Sequence, residues 1–465
     1  MERSPFSRRA ALAALGSLPI AAVQATAATR AGGAPEAPQA AKVARPMAGS
    51  LDLSELEIVD SHMHPVGRKL ISQAYAGQIA EFAGLAVPGG DYPGKSELIA
   101  HAREGGSELV MEAPRRTGYF NYIARTYGVA PTLEGFDSVT SRHIGSDADF
   151  SRYITSIFDR EKITTVVLQA AQSIPEPPAT AIPADRYVWT SIVSEMTRLR
   201  WVTSQGLTTL PDILAKIDKT METAVERGLR GFKNVSAYYR PLAVSKPAVA
   251  EAEAALRLFL KNPLTDAEAY SSAASNALNP VFTDPARAMA LTTLEDFLFR
   301  HLYVKAGQLE RPIIIHTAVA LHPALRTDFN DPRPLYAVFT DPDIQKARTQ
   351  FVLIHAGYPT TDVIAAFISQ FPSVYTDVSF YSKYPGALLE VYRSLLALGP
   401  SNKIMHGSDA NTVPEEIGYC AWNSRAVLAK VLTEYKDSFG WTQADITKMA
   451  ENVLHGTART LFGIR

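Results

Sequence analysis

The chain has 465 residues, of which 46% are hydrophobic and 20% charged, and its formal net charge is -1. That is ample for one large globular domain or two smaller ones. With no long basic run, it argues against nucleic acid or an anionic membrane surface as the partner. The single cysteine, Cys420, excludes an internal disulfide and a thiolate zinc cluster. Any metal would have to be held by His, Asp, Glu or a modified Lys.

The first 28 residues read as an export signal of the twin-arginine type. Ser7, Arg8 and Arg9 precede an alanine-rich apolar run that reaches Ala28. Gly16 and Pro19 interrupt that run, so a permanent membrane anchor is not expected. Residues 29–50, rich in Ala, Gly and Pro, read as a flexible linker. An exported protein, periplasmic or secreted, is the expectation, and the twin-arginine route would carry it already folded.

From residue 51 onward, short apolar runs end repeatedly in polar residues. "EIVDSHMH" (Glu57 to His64) comes first, followed by "ITTVVLQA" (Ile163 to Ala170), "RYVWTSIVS" (Arg186 to Ser194) and "GLRGFKNVSAY" (Gly228 to Tyr238). "RPIIIHTA" (Arg311 to Ala318), "FVLIHAGYP" (Phe351 to Pro359), "SVYTDVSF" (Ser373 to Phe380) and "KIMHGSDA" (Lys403 to Ala410) complete eight. Such runs suit strands buried on both faces. Helical patterns lie between them, as in "LPDILAKIDKTMETAVERG", "TLEDFLFRHLYVKAGQ" and "TTDVIAAFISQF". Alternation of this kind predicts an α/β fold of the (β/α)8, TIM-like barrel type. No glycine-rich phosphate loop follows an early strand, which lowers the open-sheet alternative. Residues 66–159 and 241–310 are too long for ordinary barrel loops and read as helical insertions within a single domain spanning 51–465.

The polar residues at the strand ends form the candidate site. His62 and His64 end the first strand, and residues two apart point to the same side. Lys233 ends the fourth, His316 the fifth and His355 the sixth, while Asp409 follows the eighth. In a (β/α)8 barrel all of these converge on the C-terminal mouth. The set predicts a divalent metal centre, most simply zinc, with one ion or two. Any one of these histidines alone would more often be a core or surface residue.

The motifs "VDSHMHP", "IIIHTA", "VLIHAGYP", "YTDVS" and "HGSDA" resemble those of the amidohydrolase superfamily, in its amidohydrolase-related branch. "ENVLHGTARTLFGI" resembles that branch's last helix. "GFKNVSAYYRP" and "GSDANTVPEE" look like the amidohydrolase-type domain fused to glutamine synthetase in the fluG and nodulin-like proteins. The resemblance implies a metal-dependent hydrolase, with decarboxylases and an isomerase among the relatives. It also implies two versions of the centre. In the two-metal version a carboxylated Lys233 bridges both ions. In the one-metal version His62, His64, His316 and Asp409 hold a single ion and His355 acts as the polar catalytic group. The other reading of Lys233 is a cation that binds a substrate carboxylate or makes a structural ion pair.

In the mechanism this implies, the ion lowers the pKa of a bound water from about 15.7 toward about 7. Asp409 takes its proton and returns it to the leaving group. Arg240 is a candidate carboxylate clamp whose alternative is an ion pair. Tyr358, Asn234 and His322 are candidate substrate contacts. His406 should point into the helix layer as a structural residue. Glu415 either lies near the mouth, as in the relatives, or caps a helix N-terminus. His101, His143, His301 and His455 are given no role. The expected substrate is a small molecule cleaved at an amide C–N bond. A non-oxidative decarboxylase and a binding protein without turnover are the rivals. Neither nucleic acid nor a stable membrane anchor is expected, and a homo-oligomer is left open.

Overall fold

The computed structural model describes residues 51–71, 114–170, 176–265, 284–319 and 327–465. Eight parallel strands run in chain order around one sheet. They are β1 (Ile58–Met63), β2 (Ile163–Ala170), β3 (Tyr187–Ile192), β4 (Leu229–Asn234), β5 (Ile313–His316), β6 (Phe351–Ile354), β7 (Val374–Asp377) and β8 (Ile404–Met405). The eight apolar runs therefore become the eight strands, trimmed to the residues that pair.

β8 contributes only two residues, and the ring is drawn together there by backbone bonds in the loop that follows. Ser61 N–H donates to the His406 carbonyl at 2.9 Å, Asp409 N–H to His62 at 2.8 Å and His64 N–H to Ala410 at 2.8 Å. These bonds place the loop carrying Asp409 alongside the end of β1.

Alternation along the strands sorts the side chains into two layers. Ile313, Ile315, Phe351, Leu353 and Ile404 pack outward in the large core shared with the helices. Ile314, Val352, Ile354 and Met405 face the other way and meet Val59 and Val167 in a separate cluster. A single cluster drawing on β1, β2, β5, β6 and β8 spans the barrel interior, so it is the barrel's floor. Ala458 and Phe462 of the C-terminal helix Thr457–Phe462 join it as a plug. Phe232 lies in the outer core. Its neighbour Lys233 therefore points inward, and so does His316, which follows outward-facing Ile315. The apolar floor is thus capped by polar residues at the strands' C-terminal ends.

The longer helices among the described residues are α1 (Pro114–Tyr127), α2 (Leu133–Thr140), α3 (Asp147–Arg160), α4 (Leu210–Glu226), α5 (Val249–Lys261), α6 (Pro285–Gln308), α7 (Thr361–Gln370), α8 (Pro385–Leu398), α9 (Pro414–Phe439) and α10 (Gln443–Glu451). Side-chain caps mark their starts, as where Ser146 accepts from Asp149 N–H and Thr209 from Asp212 N–H. The aromatics of α1 pack as helix core: Tyr119 and Tyr122 meet Tyr419 of α9, and Phe120 meets Phe136 of α2. His101 lies outside the described residues.

Candidate metal centre at the barrel mouth

The centre is built on the contacts that draw β1 and β8 together. Asp409 has φ of +53°, a left-handed backbone that Asp tolerates better than most residues. There its Oδ1 lies 3.4 Å from His62 Nε2 and 3.3 Å from His64 Nε2. One ligand atom from each of these three residues falls within 4.8 Å of the others. His62 is buried, whereas His64 and Asp409 are half-buried and form the accessible corner.

The remaining candidates surround that corner. Lys233 Nζ is 3.4 Å from His62 Nε2. His355 Nε2 is 3.2 Å from His316 Nδ1, and its Nδ1 is 2.8 Å from Ser379 Oγ. The His62 and His355 rings lie 5.6 Å apart. Tyr238 packs against the His316 ring at 4.7 Å, and His316 Nε2 is buried without a hydrogen-bond partner. The structure thus gathers His62, His64, Lys233, His316, His355 and Asp409 at one end of the barrel. The tight donor set is His62, His64 and Asp409, with His316 and His355 as an adjoining pair.

The electrostatics suit a cation. Burial, with Lys233 nearby, pulls the His62 pKa down to about 3, so its imidazole is neutral and able to ligate. Burial also lowers His316 and His355 well below the ordinary range. Burial pulls Lys233 down to about 7, against the opposing pull of Asp409 and Asp377. Burial would raise Asp409, but hydrogen bonds from His62 and His64 hold it well below the usual carboxylate range. Neutral nitrogens, one carboxylate and an orphaned His316 Nε2 fit a divalent ion of borderline hardness.

Two assignments made from the sequence are corrected here. Arg240 does not stand free to clamp a substrate. Its guanidinium donates to Glu295 at 3.1 Å, to Asp296 and to the Ala243 carbonyl. All three charged groups are largely buried, and the arrangement is an ion-pair cluster between the β4 loop and α6. Asn234 is likewise committed to the fold: its amide donates to Tyr303 Oη at 2.8 Å and accepts from Ser236 N–H at 2.7 Å. Tyr358 remains half-exposed beside the centre, its ring 4.6 Å from that of Tyr381. His322 lies outside the described residues. His406 faces α9, with Nδ1 2.9 Å from Ser424 Oγ, as alternation predicted.

Sequence reasoning gave no role to several residues that build the site. Asp377 accepts from Ser61 Oγ, Ser379 Oγ and His355 N–H, so it anchors the loop that orients His355. Asp60 accepts from His62 N–H and Ser408 N–H, and burial raises it to about 7. "VDSHMH" and "YTDVS" contain both carboxylates, but the sequence alone does not show that they face one another. Tyr238 lay within "GFKNVSAYYRP" with no role assigned to it, and Lys383 lay in no motif.

Glu415 sits in the first turn of α9, buried, and accepts from Tyr153 Oη at 2.6 Å. Burial raises its pKa from 4.5 to about 7, against that hydrogen bond and Arg160. The folded state thus holds this proton more tightly than the unfolded state. The resulting stability is fully present below pH 4.5 and is lost as pH rises through about 7. At about 1.4 kcal/mol per pH unit the whole effect is about 3 kcal/mol. Glu415→Gln keeps an acceptor for Tyr153 and cannot ionise. Its stability relative to the parent chain should rise by up to that amount between pH 4.5 and 7, measured by urea unfolding. A constant difference across that range would mean Glu415 is solvated.

A family model described as amidohydrolase matches residues 278–464. Protein fluG of Emericella nidulans is 24% identical over 180 residues, which cover 36% of this chain and 20% of that protein. The chain therefore spans about a fifth of the length of that curated relative. The crystal structure of a Lactobacillus casei protein assigned as a metal-dependent hydrolase is similar with a TM-score of 0.64 at 16% identity, covering 88% of this chain and 96% of that chain. Glucuronate isomerase from Caulobacter crescentus is similar with a TM-score of 0.58 at 11% identity, covering 88% and 92%. At such identities the two structures show the fold.

Proposed function

We propose that the chain, matched over residues 278–464 by a family model described as amidohydrolase and folded as a (β/α)8 barrel, is a metal-dependent hydrolase that cleaves an amide C–N bond of a small molecule. The observation that carries this reading is the Asp409 carboxylate, placed 3.3 and 3.4 Å from two imidazoles at the accessible corner of a buried polar layer. His62, His64 and Asp409 would hold the ion, zinc by our reading, with His316 or a carboxylated Lys233 completing its shell. When bound, such an ion lowers the pKa of a coordinated water toward about 7 and polarises a carbonyl.

The chain's own residues supply the rest. Asp409 stays ionised across physiological pH, the form that accepts a proton from the attacking water and can return it to the leaving nitrogen. His355, tethered by Ser379, presents a fixed Nε2 edge next to His316 for orienting the substrate carbonyl. The walls are aromatic, with Tyr238, Tyr358 and Phe380 half-exposed, which favours a small organic substrate.

An arginine facing the substrate carboxylate would favour a decarboxylase, and Arg240 is spent on Glu295 and Asp296. The Lactobacillus casei neighbour favours hydrolysis by name, and the Caulobacter crescentus neighbour makes isomerisation the outcome to test against. The deciding experiment is elemental analysis of the purified chain, followed by a screen of N-acyl and γ-glutamyl compounds. Carbon dioxide release and uronate isomerisation are assayed in parallel. A metal-free protein, or turnover only in a parallel assay, would overturn the hydrolase reading.

We propose export by the twin-arginine route, with the mature chain beginning after about residue 28. Among the described residues no helix is long and apolar enough to cross a membrane. Changing Arg8 and Arg9 together to Lys should trap the precursor in the cytoplasm, read by fractionation. Undiminished export in a strain lacking that machinery would refute the route.

A further inference from the structure

Lys383 lies between β7 and α8, and almost nothing of it is exposed: 2% of its side chain. An ammonium buried that deeply needs partners, and besides the Phe380 ring at 5.8 Å it has two oxygens. Its Nζ donates to the Asp409 backbone carbonyl at 2.7 Å and pairs with Glu416 Oε1 at 3.3 Å. Glu416 stands in the first turn of α9 and is itself buried. The segment bearing Lys383 is fixed to the same helix, because Asn423 donates to the Ser382 carbonyl at 2.8 Å and Tyr419 Oη to the Lys383 carbonyl at 3.3 Å. The lysine is thus a short strut from α9 to the Asp409 backbone.

That backbone needs a strut. Asp409 is left-handed at φ +53°, a conformation that persists only when its surroundings over-determine it. The bond from Asp409 N–H to the His62 carbonyl fixes the peptide before it. The bonds from Ala410 N–H to Ser408 Oγ, and from Lys383 to the Asp409 carbonyl, fix the peptide after it. With the peptides on both sides held, the Asp409 Cα cannot turn, and the Cα–Cβ bond that aims the carboxylate at His62 and His64 keeps its direction.

We infer that Lys383, clamped by Glu416, is a positioning residue that sets the Asp409 carboxylate between His62 and His64 and so sets the divalent-ion affinity of the centre. The inference rests on the metal centre proposed above. Groups that orient a metal ligand typically contribute 10- to 100-fold in affinity.

The test is zinc binding to the metal-stripped full chain by calorimetry, with visible absorption of the cobalt(II)-loaded protein as a report of ligand geometry. The double variant Lys383→Met/Glu416→Gln removes the strut without stranding a buried charge. About 10- to 100-fold weaker zinc binding and an altered cobalt spectrum are expected, at a melting temperature close to that of the parent. Affinity within two-fold of the parent, with an unchanged cobalt spectrum, overturns the inference. If the double variant does not fold, Glu416→Gln alone decides, because it keeps Lys383 but loosens its clamp. Weaker zinc binding by this folded variant supports the inference, and parental binding overturns it. A parent chain that binds neither ion fails differently: it overturns the metal centre itself.

Discussion

Replacing Asp409 by Asn is expected to lower turnover by about 10²–10⁴-fold, the usual contribution of a general base, while the chain stays folded. Asn is close in size and, like Asp, is among the residues that tolerate the left-handed backbone found here, φ +53°. The backbone bonds that hold this loop, from Asp409 N–H to the His62 carbonyl and from Lys383 to the Asp409 carbonyl, do not depend on the carboxylate. The carboxamide oxygen can still face His62 and His64, so part of the metal should be retained. What disappears is the group able to take a proton from water. The measurement is kcat on whichever substrate the screen identifies, alongside metal content and circular dichroism. Near-parental turnover would make Asp409 a ligand only, and His355 would be the next residue to replace.

The barrel was legible because parallel strands buried on both faces must be continuous apolar runs, and eight of them punctuate this chain. β2 coincides with the run Ile163 to Ala170 to the residue. β8 was legible only as "KIMHGSDA", and its brevity followed from something no local pattern shows: the pairing of its loop with β1. The strand-end histidines were legible because each closes an apolar run, but alternation aims only some of them: β1 carries a register shift between Asp60 and Met63, and His355, next to inward-facing Ile354, turns into the mouth on a left-handed backbone, φ +68°. Arg240 stayed open between a clamp and an ion pair because a basic residue after a strand looks the same whether it faces a substrate or a pair of carboxylates. Glu295 and Asp296, more than fifty residues on, decide the matter. Lys383 went unseen for the same reason. Its partners Asp409 and Glu416 belong to a different loop and a different helix, and nothing in "YSKYPG" announces a buried ammonium. Asp377 was visible in "YTDVS", but its work of holding Ser379 and His355 is a three-dimensional fact.

Replacing His62 and His64 together by Ala should yield a folded protein with almost no bound metal and no turnover above background. The two imidazoles are two of the three residues in the tight donor set, and Asp409 alone cannot hold a divalent ion selectively. The fold should survive because the barrel's contact between β1 and the β8 loop is made by backbone groups: Ser61 N–H to His406, His64 N–H to Ala410 and Asp409 N–H to His62. None of these bonds needs an imidazole. Stability should still fall by about 1–3 kcal/mol, the common range for a buried substitution that leaves a void, since His62 is fully enclosed. The variant also removes both imidazole contacts that hold the Asp409 carboxylate below its usual range, so the Asp409 pKa should rise. Elemental analysis reads the first effect and urea unfolding the second. Unchanged metal stoichiometry would place the ion elsewhere in the mouth, and the His316–His355 pair with Lys233 would then be the group to examine. Lost metal with parental stability would instead mean that water or a rearranged Lys233 fills the space the rings vacate, because an enclosed cavity of that size left empty carries a cost.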